Sequence, residues 1–156
     1  MLLMQKNKQN NQIIWLTGQP GSGKTTLANA LKAKFESTTN KVLIVDGDDL
    51  RNITTNKDYS RAGREKNIIT AQKISLFLSN KNFIVLVSVV APYRALREKF
   101  KKHNFVHEIF VHTTEIRGRE NFFVPDYEKP LEDFLDIDTT NKSVEECIDE
   151  IFNVYR

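Results

Sequence analysis

The chain has 156 residues, with 23 Lys and Arg against 20 Asp and Glu, for a formal net charge of +3. That length fits one domain with a substantial core, and so small a basic excess gives no argument for a nucleic-acid partner. A single cysteine, Cys147, excludes an intramolecular disulfide framework and a cysteine-based zinc site, and no apolar run reaches membrane-spanning length.

Residues 1–12 are mostly polar and lack the sustained apolar segment of a signal peptide, so they read as a poorly ordered leader. Residues 13–156 then form one domain of a cytoplasmic protein. Ile13-Ile14-Trp15-Leu16 suits a buried strand. It leads into Gly18-Gln19-Pro20-Gly21-Ser22-Gly23-Lys24-Thr25, a match to the phosphate-binding pattern G-x-x-x-x-G-K-[ST]. Thr26 to Phe35 follow, with Leu27, Ala30, Leu31 and Lys34 at helical spacing. The glycines let backbone N–H groups converge on phosphate oxygens, and the helix start adds partial positive charge. Lys24 is placed to reach the β- and γ-phosphates of a nucleoside triphosphate, and the Thr25 hydroxyl to hold Mg²⁺. Gly18 through Thr26 are the expected ATP site. A glycine turn without a ligand is the alternative, and the strand–turn–helix context argues against it.

Lys41-Val42-Leu43-Ile44-Val45 reads as a second buried strand ending in Asp46-Gly47-Asp48-Asp49. Carboxylates at the carboxyl end of a strand lie on the ligand edge of an open α/β sheet, although an ordinary acidic turn would look the same. Residues 52–60 look irregular. Arg64 to Leu78 form a helix with Ile68, Ala71, Ile74, Ser75 and Leu78 on one face, and Arg61, Arg64 and Asn67 at or near its start. Arginine suits anionic groups because its fork binds them in pairs of hydrogen bonds.

Phe83 to Val90 read as the third strand, followed by a helix with Pro92 near its first position and basic residues, Arg97 among them, on a solvated face. Val106 to His112 read as the fourth strand, with His107 and His112 a surface or loop-end pair rather than metal ligands. Thr113 to Asp136 are the least regular stretch, and Arg117-Gly118-Arg119 with Phe122-Phe123 suit a lid over a nucleotide. One of the two phenylalanines is expected to stack on a base and the other to fill the core. Phe134 to Thr139 read as a last strand. Ser143 opens the final helix with Glu146 in a capping box, and Val144, Cys147, Ile148, Ile151 and Val154 or Tyr155 form its apolar face. The alternation predicts an α/β, P-loop kinase-like fold, with a mostly parallel five-stranded sheet and helices on both faces.

The order of these motifs resembles the adenylyl-sulfate (APS) kinase family over about residues 13–153. Trp15-Leu16-Thr17-Gly18 with the phosphate loop is similar to that family's opening. Asp46-Gly47-Asp48-Asp49-Leu50-Arg51 resembles its Asp-Gly-Asp-Asn-x-Arg, and Tyr59-Ser60 through Arg64-Glu65-Lys66-Asn67-Ile68 its Phe-Ser…Arg-x-x-Asn-Ile. Val87-Ser88 through Pro92-Tyr93-Arg94 and Arg97 resemble its Ser-x-x-(Ser)-Pro-Tyr-Arg-x-x-Arg segment.

The resemblance implies Mg-ATP-dependent phosphorylation of the 3′-hydroxyl of a nucleotide conjugate. It makes Asp48 the base facing that hydroxyl, with Asp46 nearby as a metal-water or helper carboxylate, beside Lys24 of the phosphate loop as the third catalytic group. Arg51, Arg64 and Asn67 would hold the acceptor's 5′-anionic group and ribose, Tyr59 and Phe122 would flank its base, and Ser88 belongs to the same substrate set. It leaves a homodimer open and implies a small nucleotide substrate, with no nucleic-acid or membrane partner.

Several positions depart from the family pattern. Thr113 to Arg119 lead almost directly to Glu120-Asn121-Phe122, so part of the family's basic lid is missing. Glu120, His112 and Ala91 replace a lysine, an aspartate and a serine, and Gln19-Pro20 replace Leu-Ser. The short lid favours another acceptor, cytidine diphosphoramidate, used by a branch of the family in bacterial capsule synthesis, over adenylyl sulfate. Two other classes fit the sequence less well. A non-catalytic nucleotide-binding module has no need of Asp48, and a nucleic-acid-binding protein calls for a coherent basic stripe that this chain lacks.

Overall fold

The computed structural model describes residues 12–155, so the polar leader lies outside the described residues except for Gln12, which already belongs to the first strand. In chain order, β1 (Gln12–Thr17) leads through the glycine loop to α1 (Lys24–Phe35), and β2 (Val42–Asp46) leads to α2 (Gly47–Thr54) and α3 (Arg61–Ser79). Then come β3 (Ile84–Ser88), α4 (Arg94–His103), β4 (Val106–His112), a single 3₁₀ turn at Glu120–Phe122, β5 (Phe134–Asp138) and α5 (Val144–Tyr155). The sheet runs β2-β3-β1-β4-β5 with every pairing parallel.

Covering both faces explains why the central strands are unbroken apolar runs. Ile14 and Leu16 of β1, with Ile84 and Leu86 of β3, pack under Leu27, Leu31 and Phe35 of α1 and Ile148 and Ile151 of α5. Their neighbours Ile13, Trp15, Val85 and Val87 face the other way, against Leu50 of α2, Ile68 and Ala71 of α3 and Phe100 of α4. Cys147 is buried in the first of these layers, as expected of a core thiol. The capping box forms: Ser143 N donates to Glu146 Oε2 at 2.9 Å and Glu146 N to Ser143 Oγ at 3.1 Å. Val144 and Val154, expected on the buried face of α5, are exposed, and Tyr155 packs against the core instead.

Other expectations change as well. Residues 47–54 are helical, so the stretch expected to be irregular from residue 52 begins inside a helix and the acidic residues after β2 lie on its first turn. Asp46 caps α2, accepting from Asp48 N at 2.9 Å and Asp49 N at 3.3 Å. With Leu50 its only buried residue, α2 carries almost no apolar periodicity to announce it. Pro92 lies just before α4, two residues ahead of Arg94; its carbonyl accepts from Glu128 N at 2.8 Å, and Ala91 before it has a positive φ of 46°.

Arg97 is not on a solvated face. It is 4% exposed, and its Nε donates to Glu108 Oε2 at 3.0 Å, while Lys101 Nζ reaches Glu108 Oε1 at 2.9 Å. Arg97 Nη1 also donates to Ala91 O, and its Nη2 to Glu128 O. Truncating one member of a buried pair strands the other's charge, so Glu108→Ala is expected to lower stability by about 3 kcal/mol in urea unfolding. A loss below about 0.5 kcal/mol, the range of an ordinary surface substitution, would show that Arg97 is satisfied by the carbonyls alone.

Candidate active site

The parallel register brings the site residues to one edge. Leu16 and Asp46 both pair with Ser88, and Thr17 pairs with Phe110, so the ends of β1, β2, β3 and β4 lie side by side. The chain leaves β1 at Gly18, with φ 153°, where an added Cβ would lie 2.1 Å from Val111 O; no other residue fits so close to β4. Gly21 and Gly23 continue the turn at positive φ, and α1 starts at Lys24. Pro20 is half-buried, Ser22 is buried, and Thr25 and Thr26 are exposed at the first turn of α1.

Lys24 is buried, and its ammonium donates to Gln19 O at 2.9 Å, folded over the loop it serves. Burial pushes its pKa down to about 8; Asp46 and Asp48 pull it back up and Arg119 acts with the burial. These four charges therefore share one electrostatic neighbourhood.

Thr25 Oγ1 lies 3.5 Å from Asp46 Oδ2 and 3.3 Å from Ser88 Oγ. A hydroxyl and a carboxylate oxygen beside a phosphate loop suit a hard cation that keeps most of its ligands as water and phosphate. No cluster of three or more His, Cys, Asp or Glu residues able to hold a metal exists among the described residues. Thr25 and Asp46 would hold Mg²⁺. Asp48 is exposed on the first turn of α2, the positive end of the helix dipole.

On the side expected to face an acceptor, Arg51 Nη1 donates to Asn56 O at 3.1 Å and Asp58 O at 3.0 Å, and its guanidinium lies 4.0 Å above the Tyr59 ring. Arg51 thus ties down the loop that presents the exposed Tyr59. Asn67 is buried on α3, with Nδ2 3.5 Å from Gly47 O and Oδ1 without a hydrogen-bond partner. Arg64 lies one turn before it. Ser88 is buried with its hydroxyl on the Thr25 side of the edge.

Neither Phe122 nor Phe123 fills the core: they are 63% and 44% exposed, and Val124 is the buried residue of that stretch. Arg119 lies 5.0 Å over the Phe122 ring, while Arg117 Nη1 donates to Gly21 O and Ser22 O of the phosphate loop. The lid expected at 117–123 therefore rests on the loop.

Residues 124–133 form a strap across the edge of the sheet, unsuspected from sequence because its partners are side chains distant along the chain. Gln19 grips it twice: Val124 N donates to Gln19 Oε1 and Gln19 Nε2 to Val124 O, both at 2.8 Å. Tyr127 OH lies 2.8 Å from Thr17 Oγ1, and burial raises its pKa to about 12, so it stays a neutral phenol. Arg94 Nε donates to Lys129 O at 2.9 Å and Lys101 Nζ to Glu132 O at 3.1 Å. Of the two histidines, His107 lies away from this edge, whereas His112 lines the cavity beside Gln19, Pro20, Gly21 and Ser22. His112 Nε2 bonds Asp136 Oδ2 at 2.9 Å, and His107 packs on Tyr155 with its pKa lowered by burial.

The adenylylsulphate kinase family profile matches residues 10–121, most of the chain. The chain belongs to that family. An adenylyl-sulfate kinase of Microcystis aeruginosa is 40% identical over 107 residues, which span 67% of this chain and 59% of that protein. One from Rippkaea orientalis is 31% identical over 167 residues, 93% of this chain and 91% of that one. The structure of the Mycobacterium tuberculosis APS kinase in complex with AMPPNP and APS superposes with a TM-score of 0.80 at 20% identity, covering 93% of this chain and 97% of that one. At that identity the likeness speaks for the fold. As a member of the adenylylsulphate kinase family, the chain is an ATP-dependent kinase of P-loop fold, with ATP and Mg²⁺ as its cofactors. No described helix is long and apolar enough to cross a membrane.

Proposed function

We propose that this kinase phosphorylates the 3′-hydroxyl of a 5′-nucleotide conjugate, and that the conjugate is adenylyl sulfate. The observation that carries the reading is the place of Asp48: an exposed carboxylate on the first turn of α2, electrostatically coupled to the phosphate-loop lysine Lys24. Asp48 takes the proton of the acceptor hydroxyl as the new bond from the 3′-oxygen to the γ-phosphorus forms and the bond to the β–γ bridging oxygen breaks, releasing ADP. Lys24 and the N–H groups of residues 18–24 stabilise the negative charge spread over the transferred group. Mg²⁺, when bound, neutralises phosphate charge. Arg51 and Arg64 orient the acceptor through its 5′-anionic group, Asn67 its ribose, and Tyr59 and Phe122 its base.

The relatives' names put adenylyl sulfate first, reversing the order that the short lid alone suggests. Cytidine diphosphoramidate remains the second reading because the basic lid stretch is missing and Glu120 stands where a lysine is usual. ADP release measured with adenylyl sulfate, cytidine diphosphoramidate and plain nucleoside monophosphates decides between them, with phosphorus NMR locating the product phosphate. We expect the largest kcat/KM for adenylyl sulfate, with the phosphate on the 3′-oxygen. A tenfold preference for the cytidine conjugate, about 1.4 kcal/mol, would establish the second reading, and turnover of neither conjugate would overturn both.

A further inference from the structure

We infer that Asp126, on the strap, sets the enzyme's affinity for anionic acceptors by competing with them for the arginines of α3. The inference rests on the reading that Arg64 holds the acceptor's 5′-anionic group. Asp126 Oδ1 lies 3.9 Å from Arg64 Nη1 and its Oδ2 lies 3.8 Å from Arg61 Nη1. Arg61 is shared, since its Nε donates to Glu65 Oε1 at 3.0 Å while its guanidinium lies 4.1 Å over the Tyr93 ring. Arg64 has no such second carboxylate among the described residues, so Asp126 is its counter-ion there.

The carboxylate is held near that position. Two residues upstream the Gln19 amide fixes Val124 on both its N–H and its C=O, and immediately downstream Tyr127 is fastened to Thr17. Strap and α3 thus face each other across the acceptor side with opposite charges. Both separations exceed hydrogen-bond length and the pair is partly exposed, so the carboxylate is a weak competitor that an acceptor anion can displace. An anion that reaches Arg64 must therefore either displace Asp126 or bear its repulsion. More highly charged 5′ groups bear more of it. This makes Asp126 a specificity-determining residue, acting through Arg64 on how much negative charge the acceptor carries.

The test uses Asp126→Asn, which keeps the shape and removes the charge. AMP is the binding probe, titrated in the presence of ADP and followed by the ¹⁵N signal of the Arg64 guanidinium. We expect AMP to bind about three- to fivefold more tightly to the variant, the size of one partly exposed charge at this range, with the gain shrinking as salt rises. In an Arg64→Ala background, where AMP binding is read by titration calorimetry, the same substitution is expected to gain nothing. Equal or weaker binding of AMP to Asp126→Asn than to wild type, at unchanged thermal stability, would overturn the inference. The parent reading fails differently: the Arg64 signal would then ignore AMP in the wild type as well as in the variant. With adenylyl sulfate as acceptor, the variant should show the same fold-decrease in KM at unchanged kcat, whereas a role in the chemical step would move kcat.

Discussion

Replacing Lys24 by alanine should lower kcat about a thousandfold or more, as expected when a preorganised charge on a transferring phosphoryl group is lost. The lysine is buried at the mouth of the glycine loop, with its ammonium already turned over the loop at Gln19 O. Its depressed pKa adds a second signature. The ammonium is present below about pH 8 and is lost as pH rises through that value, so kcat/KM for ATP in the wild type should fall on the alkaline side with a midpoint near 8. The stability contribution has its own sign. Between about 8 and the ordinary value of 10.5 the unfolded chain holds a proton that the folded one has released, so this group makes the fold more stable as pH rises across that window. Near-normal kcat in Lys24→Ala, measured by ADP release at saturating Mg-ATP, would remove the lysine from the phosphoryl-transfer machinery.

Asp48→Asn is expected to lower kcat by about two to four orders of magnitude while ATP affinity stays close to wild type, because an amide has the size of the carboxylate but cannot take the acceptor's proton. Single-turnover rates beside equilibrium nucleotide binding separate the two effects. The substitution also removes one of the charges that raise the pKa of Lys24, so the alkaline limb of kcat/KM should move to lower pH in the variant. A loss confined to ATP affinity would instead make Asp48 a nucleotide or metal ligand.

The positions of these two residues at the sheet edge are legible in the sequence because the pattern that contains them is local. Lys24 is fixed by spacing from Gly18, and Asp48 by its distance from a strand end. The same holds for the sheet: Ile84 to Ser88 or Ile13 to Leu16 can hardly be anything but covered strands when both of their faces are apolar. α2 is hard to see in the sequence because a cap rather than a periodicity marks it. Asp46 followed by two more aspartates is a helix-start signal, but Leu50 alone gave no stripe to confirm it. The burial of Arg97 is not legible in the sequence because charge carries no sign of burial and its partner Glu108 lies on a separate strand. The strap escaped for a related reason. Its backbone is satisfied by Gln19, Arg94, Arg97 and Lys101, and no short-range pattern encodes such contacts. The exposed phenylalanines belong to the same failure, since Val124, flanked by the grip of Gln19, fills the place expected of one of them.

Asp46 illustrates how unevenly a mutational survey would sample this site. One of its oxygens receives the first amides of α2, while the other faces Thr25. Substituting it would loosen the helix start on which Asp48 rides as well as disturb the hydroxyl beside the phosphates, so a dead Asp46 variant could not be parsed into folding and chemistry. Asp48 has no such second employment in the hydrogen-bond scheme of the described residues. Of two acidic neighbours that look interchangeable in the sequence, only the exposed one offers a clean genetic handle on the reaction.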